Sequence, residues 1–254
     1  MAWPARICRL LPGGKRGVYL QRPARPRSRP RPPPEKTRPL ASGRVTPGTA
    51  KILYAALVVP ALLLAFQVSH GAAGFVAAYL FINILYSLAL KRIVILDVFT
   101  ISAGFMLRIL AGTVGLAIVP SAWLLLCGLM LTLFLGFSKR RAELLLLESD
   151  SVSAPGRIVL QDYSAAVLDQ FISVTASCTI LAYGLYTVSP QTIALHGDGR
   201  LIYTLPFVIF GILRYMLTLR ARTTGHDAAK DLMTDPHLLV TVAGWLLVTI
   251  WILA

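Results

Sequence analysis

The chain is 254 residues long, 56% hydrophobic and only 14% charged, with a mean hydropathy of +0.69. A water-soluble domain carries about a quarter charged residues, so composition excludes an ordinary soluble enzyme and points to membrane spans. The formal charge of +14 does not mark a nucleic-acid-binding face: residues 1–51 hold 13 Lys/Arg against one acid, Glu35, whereas residues 52–254 hold 12 against 10.

That basic excess sits at the start of the chain. Residues 1–33 are rich in Arg and Pro, and no apolar stretch precedes a cleavage site, so a signal peptide is not expected. Such composition fits a disordered arm. Residues 34–254 form the expected membrane domain.

Seven apolar segments follow, at about 52–69, 72–90, 97–118, 121–137, 166–187, 201–219 and 237–254. Each is near the roughly 20 residues that cross a hydrocarbon core as a helix. Backbone groups in lipid must be satisfied within the span, so an all-α, polytopic transmembrane helical bundle is the expected fold. Ser69-His70-Gly71 and Val119-Pro120-Ser121 are short turns between neighbouring spans.

The connections alternate in charge. Arg38, Arg44 and Lys51 precede the first span, and Lys91 and Arg92 follow the second. Lys139, Arg140, Arg141 and Arg157 follow the fourth, and Arg220, Arg222 and Lys230 follow the sixth. The opposite connections hold only Arg200. This positive-inside pattern places the basic connections in the cytoplasm; the plasma membrane is the expected location. Acids gather there too: Asp97, Glu143, Glu148, Asp150, Asp162, Asp227, Asp231 and Asp235. Topogenesis needs only Lys and Arg, so the mixture suits a polar site open to the cytoplasm. Ordinary solvated loops would look the same.

Three groups carry candidate chemistry. Lys36 and Arg38, in Pro34-Glu35-Lys36-Thr37-Arg38-Pro39-Leu40-Ala41-Ser42-Gly43, are suited to phosphate oxygens. A basic juxtamembrane anchor is the plainer reading. Tyr86, Lys91 and Asp97 cross a span–connection–span junction, with Arg108 inside the next span. Eleven residues separate Asp97 from Arg108, which returns them to nearly one helix face. An Arg within a span is a functional candidate by default; pairing with a carboxylate to fix packing is its alternative. In Ser138-Lys139-Arg140-Arg141-Ala142-Glu143, Lys139 and Glu143 are four apart and share a face. Tyr163 and Arg214 are weaker single candidates. Cys8, Cys127 and Cys178 show no paired spacing, and His70, His196, His226 and His237 are scattered. P-loop, GxSxG, HExxH and CxxC motifs are all missing.

These residues resemble a known family. Pro34 to Gly43 is similar to the HPxKxxRPLASG signature of the UbiA-type intramembrane prenyltransferase superfamily. Tyr86-Ser87-Leu88-Ala89-Leu90-Lys91, Asp97, Gly104-Phe105-Met106-Leu107-Arg108 and Ser138 to Leu144 resemble its decaprenyl-phosphate phosphoribosyltransferase branch. The aromatic prenyltransferases usually carry a second DxxxD motif, whereas here Ile101 stands four residues after Asp97. The resemblance implies transfer of 5-phosphoribosyl from phosphoribosyl pyrophosphate to a polyprenyl phosphate, feeding arabinose-containing envelope glycans, with Mg2+ as cofactor. It implies Asp97 as metal or ribose carboxylate and Tyr86 as the donor-positioning group. Lys91, Lys139, Arg140, Lys36, Arg38 and Arg108 would hold phosphates, with Glu143 and Tyr163 in support. Polyprenyl transfer to an aromatic acceptor, a transporter and an inactive remnant are the rival readings.

The chain departs from that family in one place. The family has nine spans and an NDxxDxxxD motif before its HPxK signature; this chain shows seven spans and no such motif. Gly17-Val18-Tyr19-Leu20 resembles the end of the family's second span. Codons compatible with Gln21 to Arg29, read one base later, encode Asn-Asp-x-x-Asp-x-Glu-Ala-Asp. Residues 1–33 are therefore expected to be, at least in part, a frame-shifted or misassigned segment, the disordered arm being the other reading.

Overall fold

A computed structural model describes residues 46–149, 160, 162–221 and 235–253. The chain divides into two units, Met1–Ala56 and Leu57–Ala254. In the first, described from Thr46, the Thr46 hydroxyl accepts from the Thr49 N–H at 3.2 Å and so caps a helix start.

The described residues are helical, with α1 Pro47–Val68, α2 His70–Leu88, α3 Leu96–Gly115, α4 Ala122–Ser149, α5 Ala165–Val188, α6 Pro190–His196, α7 Leu205–Ala221 and α8 Pro236–Leu253. Short 3-10 turns at Leu90–Arg92 and Arg200–Thr204 precede α3 and α7. Among the described residues, seven helical stretches are long and apolar enough to cross a membrane. The expected all-α polytopic bundle is thus observed, and each expected span has its helix.

Caps explain where the helices begin. Ser69 is the whole connection between α1 and α2, and its hydroxyl accepts from the Ala72 N–H at 3.0 Å. Ser164 starts α5 in the same way, through the Val167 N–H. The end of α3 differs from expectation: the helix stops at Gly115, not 118. Ala117 has φ +55, and the N–H groups of Ala117 and Ile118 donate to the carbonyls of Val114 and Thr113. This is a Schellman cap with Ala where Gly is usual.

The larger difference lies in α4. The sequence predicts a span ending near residue 137 and a charged connection after it. The helix instead runs through Ser149. No Gly or Pro interrupts residues 137–149, and Arg, Ala, Glu and Leu are strong helix formers. Lys139, Arg140, Arg141 and Glu143 therefore project from a helix at defined angles.

The core lies between α3, α4, α5 and α7. Val98, Leu133, Phe134, Phe137, Leu168, Ile172, Ala176, Ile212 and Tyr215 form one buried cluster, joined by Leu160 and Tyr163 from the segment before α5. Phe134 and Tyr215 meet edge to face with ring centroids 5.4 Å apart. Gly136 permits close approach of α3 and α4, because a Cβ there would lie 2.5 Å from Cγ1 of Val98. Val98 is adjacent to Asp97, so this contact also sets the depth of that carboxylate.

Candidate active site

The polar centre forms where α3 begins and α4 nears its end. Asp97, in the first turn of α3, is fully buried, and Arg140 of α4 is only 2% exposed. Arg140 donates from Nε to Oδ2 of Asp97 at 2.6 Å and from Nη1 to Oε2 of Glu143 at 2.6 Å. One guanidinium thus bridges two acids, using the fork geometry that Lys lacks. The other oxygen of Asp97 accepts from the Tyr163 hydroxyl at 3.0 Å. A lone buried charge would be costly, whereas here both partners are paired and hydrogen-bonded.

Burial pushes the Tyr163 phenol up to about 12; the Ile95 amide that donates to it pulls the other way, and the Asp97 carboxylate adds to the rise. The phenol therefore stays protonated and available as a donor to Asp97 across the physiological range.

A second ion pair flanks the first. Arg141 holds Asp169 of α5 in two contacts, Nε to Oδ1 at 2.6 Å and Nη2 to Oδ2 at 3.3 Å. Consecutive residues of α4 thereby tie it to α3 through Arg140 and to α5 through Arg141. Sequence reasoning missed Asp169. The available signal was an acid inside an apolar span, which demands a partner.

The expected candidates separate into groups. Asp97, Arg140, Glu143 and Tyr163 are brought together. Lys91 and Lys139 are exposed, and Tyr86 is half-buried, at the same end of the bundle. Lys139 and Glu143 lie four apart on the continuous helix α4, and Arg140, three residues before Glu143, also reaches it. Arg108 does not join Asp97. It lies about 16 Å further along α3 by helical rise, and its Nη2 donates to the Tyr79 hydroxyl at 2.6 Å. Its guanidinium also stacks on the rings of Tyr79 and Phe105, 4.6 and 4.9 Å from their centroids. Aromatic partners, not a carboxylate, hold this intramembrane cation. Lys36 and Arg38 fall outside the described residues, as do residues 1–33.

Arg214 takes part in a separate cluster. Asp235, just ahead of α8, accepts from Arg214 Nε at 3.0 Å, Thr218 Oγ1 at 3.3 Å and the His237 N–H at 2.9 Å. Burial alone would raise the Asp235 pKa; the Arg214 guanidinium and the His237 and Leu238 amides overcome it and bring it to about 2. This cluster caps α8 and ties it to α7.

No group of three His, Cys, Asp or Glu among the described residues is placed to hold a metal ion. Both oxygens of Asp97 are engaged, one by Arg140 and one by Tyr163. Asp97 as placed therefore does not fit the expected role of Mg2+ ligand, an ion that takes one or two free carboxylates beside waters and substrate phosphates. What the arrangement offers is concentrated positive charge. Lys91, Arg92 and Lys139 stand exposed at the end where Arg140 and Arg141 are anchored by acids, and such an end suits a phosphorylated substrate.

Comparison with known proteins agrees. The profile described as the UbiA prenyltransferase family matches residues 33–234, starting where the Arg/Pro-rich stretch ends. The chain is 31% identical over 238 residues to a decaprenyl-phosphate phosphoribosyltransferase of Corynebacterium glutamicum, covering 91% of this chain and 70% of that protein. It is 29% identical over 221 residues to the protein of the same name from Mycolicibacterium smegmatis, covering 84% of this chain and 68% of that one. The Mycobacterium tuberculosis protein of that name is also 29% identical, over 84% of this chain and 69% of its own length. This chain is a multi-pass membrane transferase and belongs to the UbiA prenyltransferase family.

Proposed function

We propose that the chain transfers 5-phosphoribosyl from phosphoribosyl pyrophosphate to a polyprenyl phosphate of the decaprenyl type, on the cytoplasmic face of the plasma membrane. The observation that carries this reading is the buried Asp97–Arg140 pair at the cation-rich end of the bundle. The names of the similar mycobacterial and corynebacterial proteins support the same substrates. The positive-inside distribution of Lys and Arg supports the cytoplasmic face.

In this reading a lipid phosphate oxygen attacks the anomeric carbon of the ribose. The bond from that carbon to the pyrophosphate oxygen breaks, and pyrophosphate leaves with the electron pair. Positive charge develops on the ribose ring, and negative charge on the leaving group. Lys91, Lys139 and Arg140, with Lys36 and Arg38 from outside the described residues, would stabilise the latter. Tyr86 would orient the donor. Asp97 would hold the Arg140 fork, and its carboxylate would favour the developing ribosyl cation. Arg108, held by Tyr79 and Phe105, would serve the packing of α2 against α3. A Mg2+ ion, expected from the resemblance, would take its oxygens from carboxylates other than Asp97, from water and from the substrate phosphates. The product would feed envelope glycan precursors.

Membranes containing the full chain, given labelled phosphoribosyl pyrophosphate and decaprenyl phosphate, test the reading. Label appearing in a decaprenyl-linked lipid supports it. Label confined to the aqueous phase, with prenylation of an added aromatic acceptor from a polyprenyl diphosphate, overturns it.

A further inference from the structure

Ahead of the buried carboxylate lies a turn of unusual geometry. The Leu96 N–H donates to the Val94 carbonyl at 2.7 Å, and Ile95 between them has φ +68 and ψ −47. This is a γ-turn of the positive-φ type, which is rare and strained. A β-branched residue at positive φ makes it more so. Such geometry persists only where its surroundings over-determine it. The Ile95 side chain is 40% exposed, so core packing does not hold it.

One group does. The Tyr163 hydroxyl accepts from the Ile95 N–H at 2.6 Å and donates to Oδ1 of Asp97 at 3.0 Å. The ring of Tyr163 is buried in the main core cluster, so the hydroxyl is anchored from behind. A single oxygen therefore fastens the strained residue and the carboxylate two positions later. Arg140 then receives that carboxylate at 2.6 Å.

We infer that Tyr163 is a positioning residue for the transfer reaction: its hydroxyl latches the strained Val94–Leu96 turn and thereby sets the Asp97 carboxylate on Arg140. The inference rests on the assignment of the Asp97–Arg140 pair to the transferase site. A purely space-filling role for the aromatic ring would be met equally well by Phe. Relief of the strain at Ile95 distinguishes the two, because Gly adopts positive φ without penalty.

The test compares the full chain with Tyr163→Phe, Ile95→Gly and the double variant, purified in detergent. Tyr163→Phe is expected to lower kcat by roughly tenfold or more, with KM for phosphoribosyl pyrophosphate changed less than about twofold, as misplacement of a charged group predicts. Ile95→Gly alone should keep near-wild-type turnover. In its background, Tyr163→Phe should cost at least about threefold less in kcat, since the turn no longer depends on the latch. The midpoint of thermal unfolding should show the same coupling. Wild-type kcat in Tyr163→Phe, or equal losses in both backgrounds, overturns the inference. If the wild-type chain transfers no phosphoribosyl group, the substrate reading fails and the unfolding midpoints alone decide the latch.

Discussion

Asp97 and Arg140 are 43 positions apart in the chain and 2.6 Å apart in space, buried together where α3 begins and α4 nears its end. The pair is the join between the apolar core and the charged surface. Val98, next to Asp97, packs into the core, and Lys139, next to Arg140, is exposed.

The first prediction follows from the fork. Arg140→Lys keeps the charge but cannot present two nitrogens to Asp97 and Glu143 at once. Transfer should fall by roughly a hundredfold, as expected when a positioned charge is displaced by about an ångström. Asp97→Asn leaves the guanidinium buried with only Glu143 opposite it, which should destabilise the fold by about 3 kcal/mol. Kinetics of labelled phosphoribosyl transfer and unfolding in detergent measure the two effects. Asp97→Asn with full transfer would remove that carboxylate from the site.

The second prediction concerns the approach of α3 to α4. Gly136→Ala would place a methyl 2.5 Å from Cγ1 of Val98. Overpacking of this kind typically costs about 1–3 kcal/mol, and here it would also push Asp97 away from Arg140. Adding Val98→Ala should recover much of the transfer activity while leaving some stability lost to the smaller core. A Gly136→Ala variant as stable and active as the wild type would show that the helices sit further apart than this.

Much of this architecture is legible in the residues alone. Apolar runs near 20 residues read as spans, and each has its helix. Asp97, Arg140 and Glu143 were identifiable because charge beside or within a span needs a purpose. Their mutual contacts were not, because Arg140 meets Asp97 from 43 positions away while reaching Glu143 three residues along α4. Spacing placed Arg108 on the face of Asp97, but Tyr79 of α2, far off in sequence, captures it instead. The Ile95 turn had no local signature: Ile is among the residues least suited to positive φ, and the group that holds its N–H, the Tyr163 hydroxyl, lies 68 positions away.

The third prediction uses Ala117. Its φ of +55 closes the Schellman cap of α3. A left-handed residue other than Gly costs roughly 1–2 kcal/mol in steric strain. Ala117→Gly relieves that strain and loosens the unfolded chain, two opposing effects. The net expectation is a gain of about 0.5–1 kcal/mol, seen as a raised unfolding midpoint in detergent, with transfer unchanged. A lowered midpoint would mean that the cap is not formed.

The last prediction is a pH dependence. Burial and the Asp97 carboxylate hold the Tyr163 phenol up at about 12, against the pull of the Ile95 amide. An ordinary tyrosine titrates near 10, so the folded pKa is the higher of the two. The sign follows: the native state keeps a proton that the unfolded chain releases. The stabilisation from this group is therefore complete below about pH 10 and is lost as pH rises toward about 12. Tyrosinate absorbance of folded wild type and of Tyr163→Phe should rise equally near pH 10, the wild type gaining one further phenol only toward about pH 12. The difference in unfolding midpoint between wild type and Tyr163→Phe should also shrink over the same alkaline window and stay constant between about pH 6 and 9. A constant difference through pH 12, or a Tyr163 phenol that ionises with the exposed tyrosines, would mean that the hydroxyl is not held between Ile95 and Asp97.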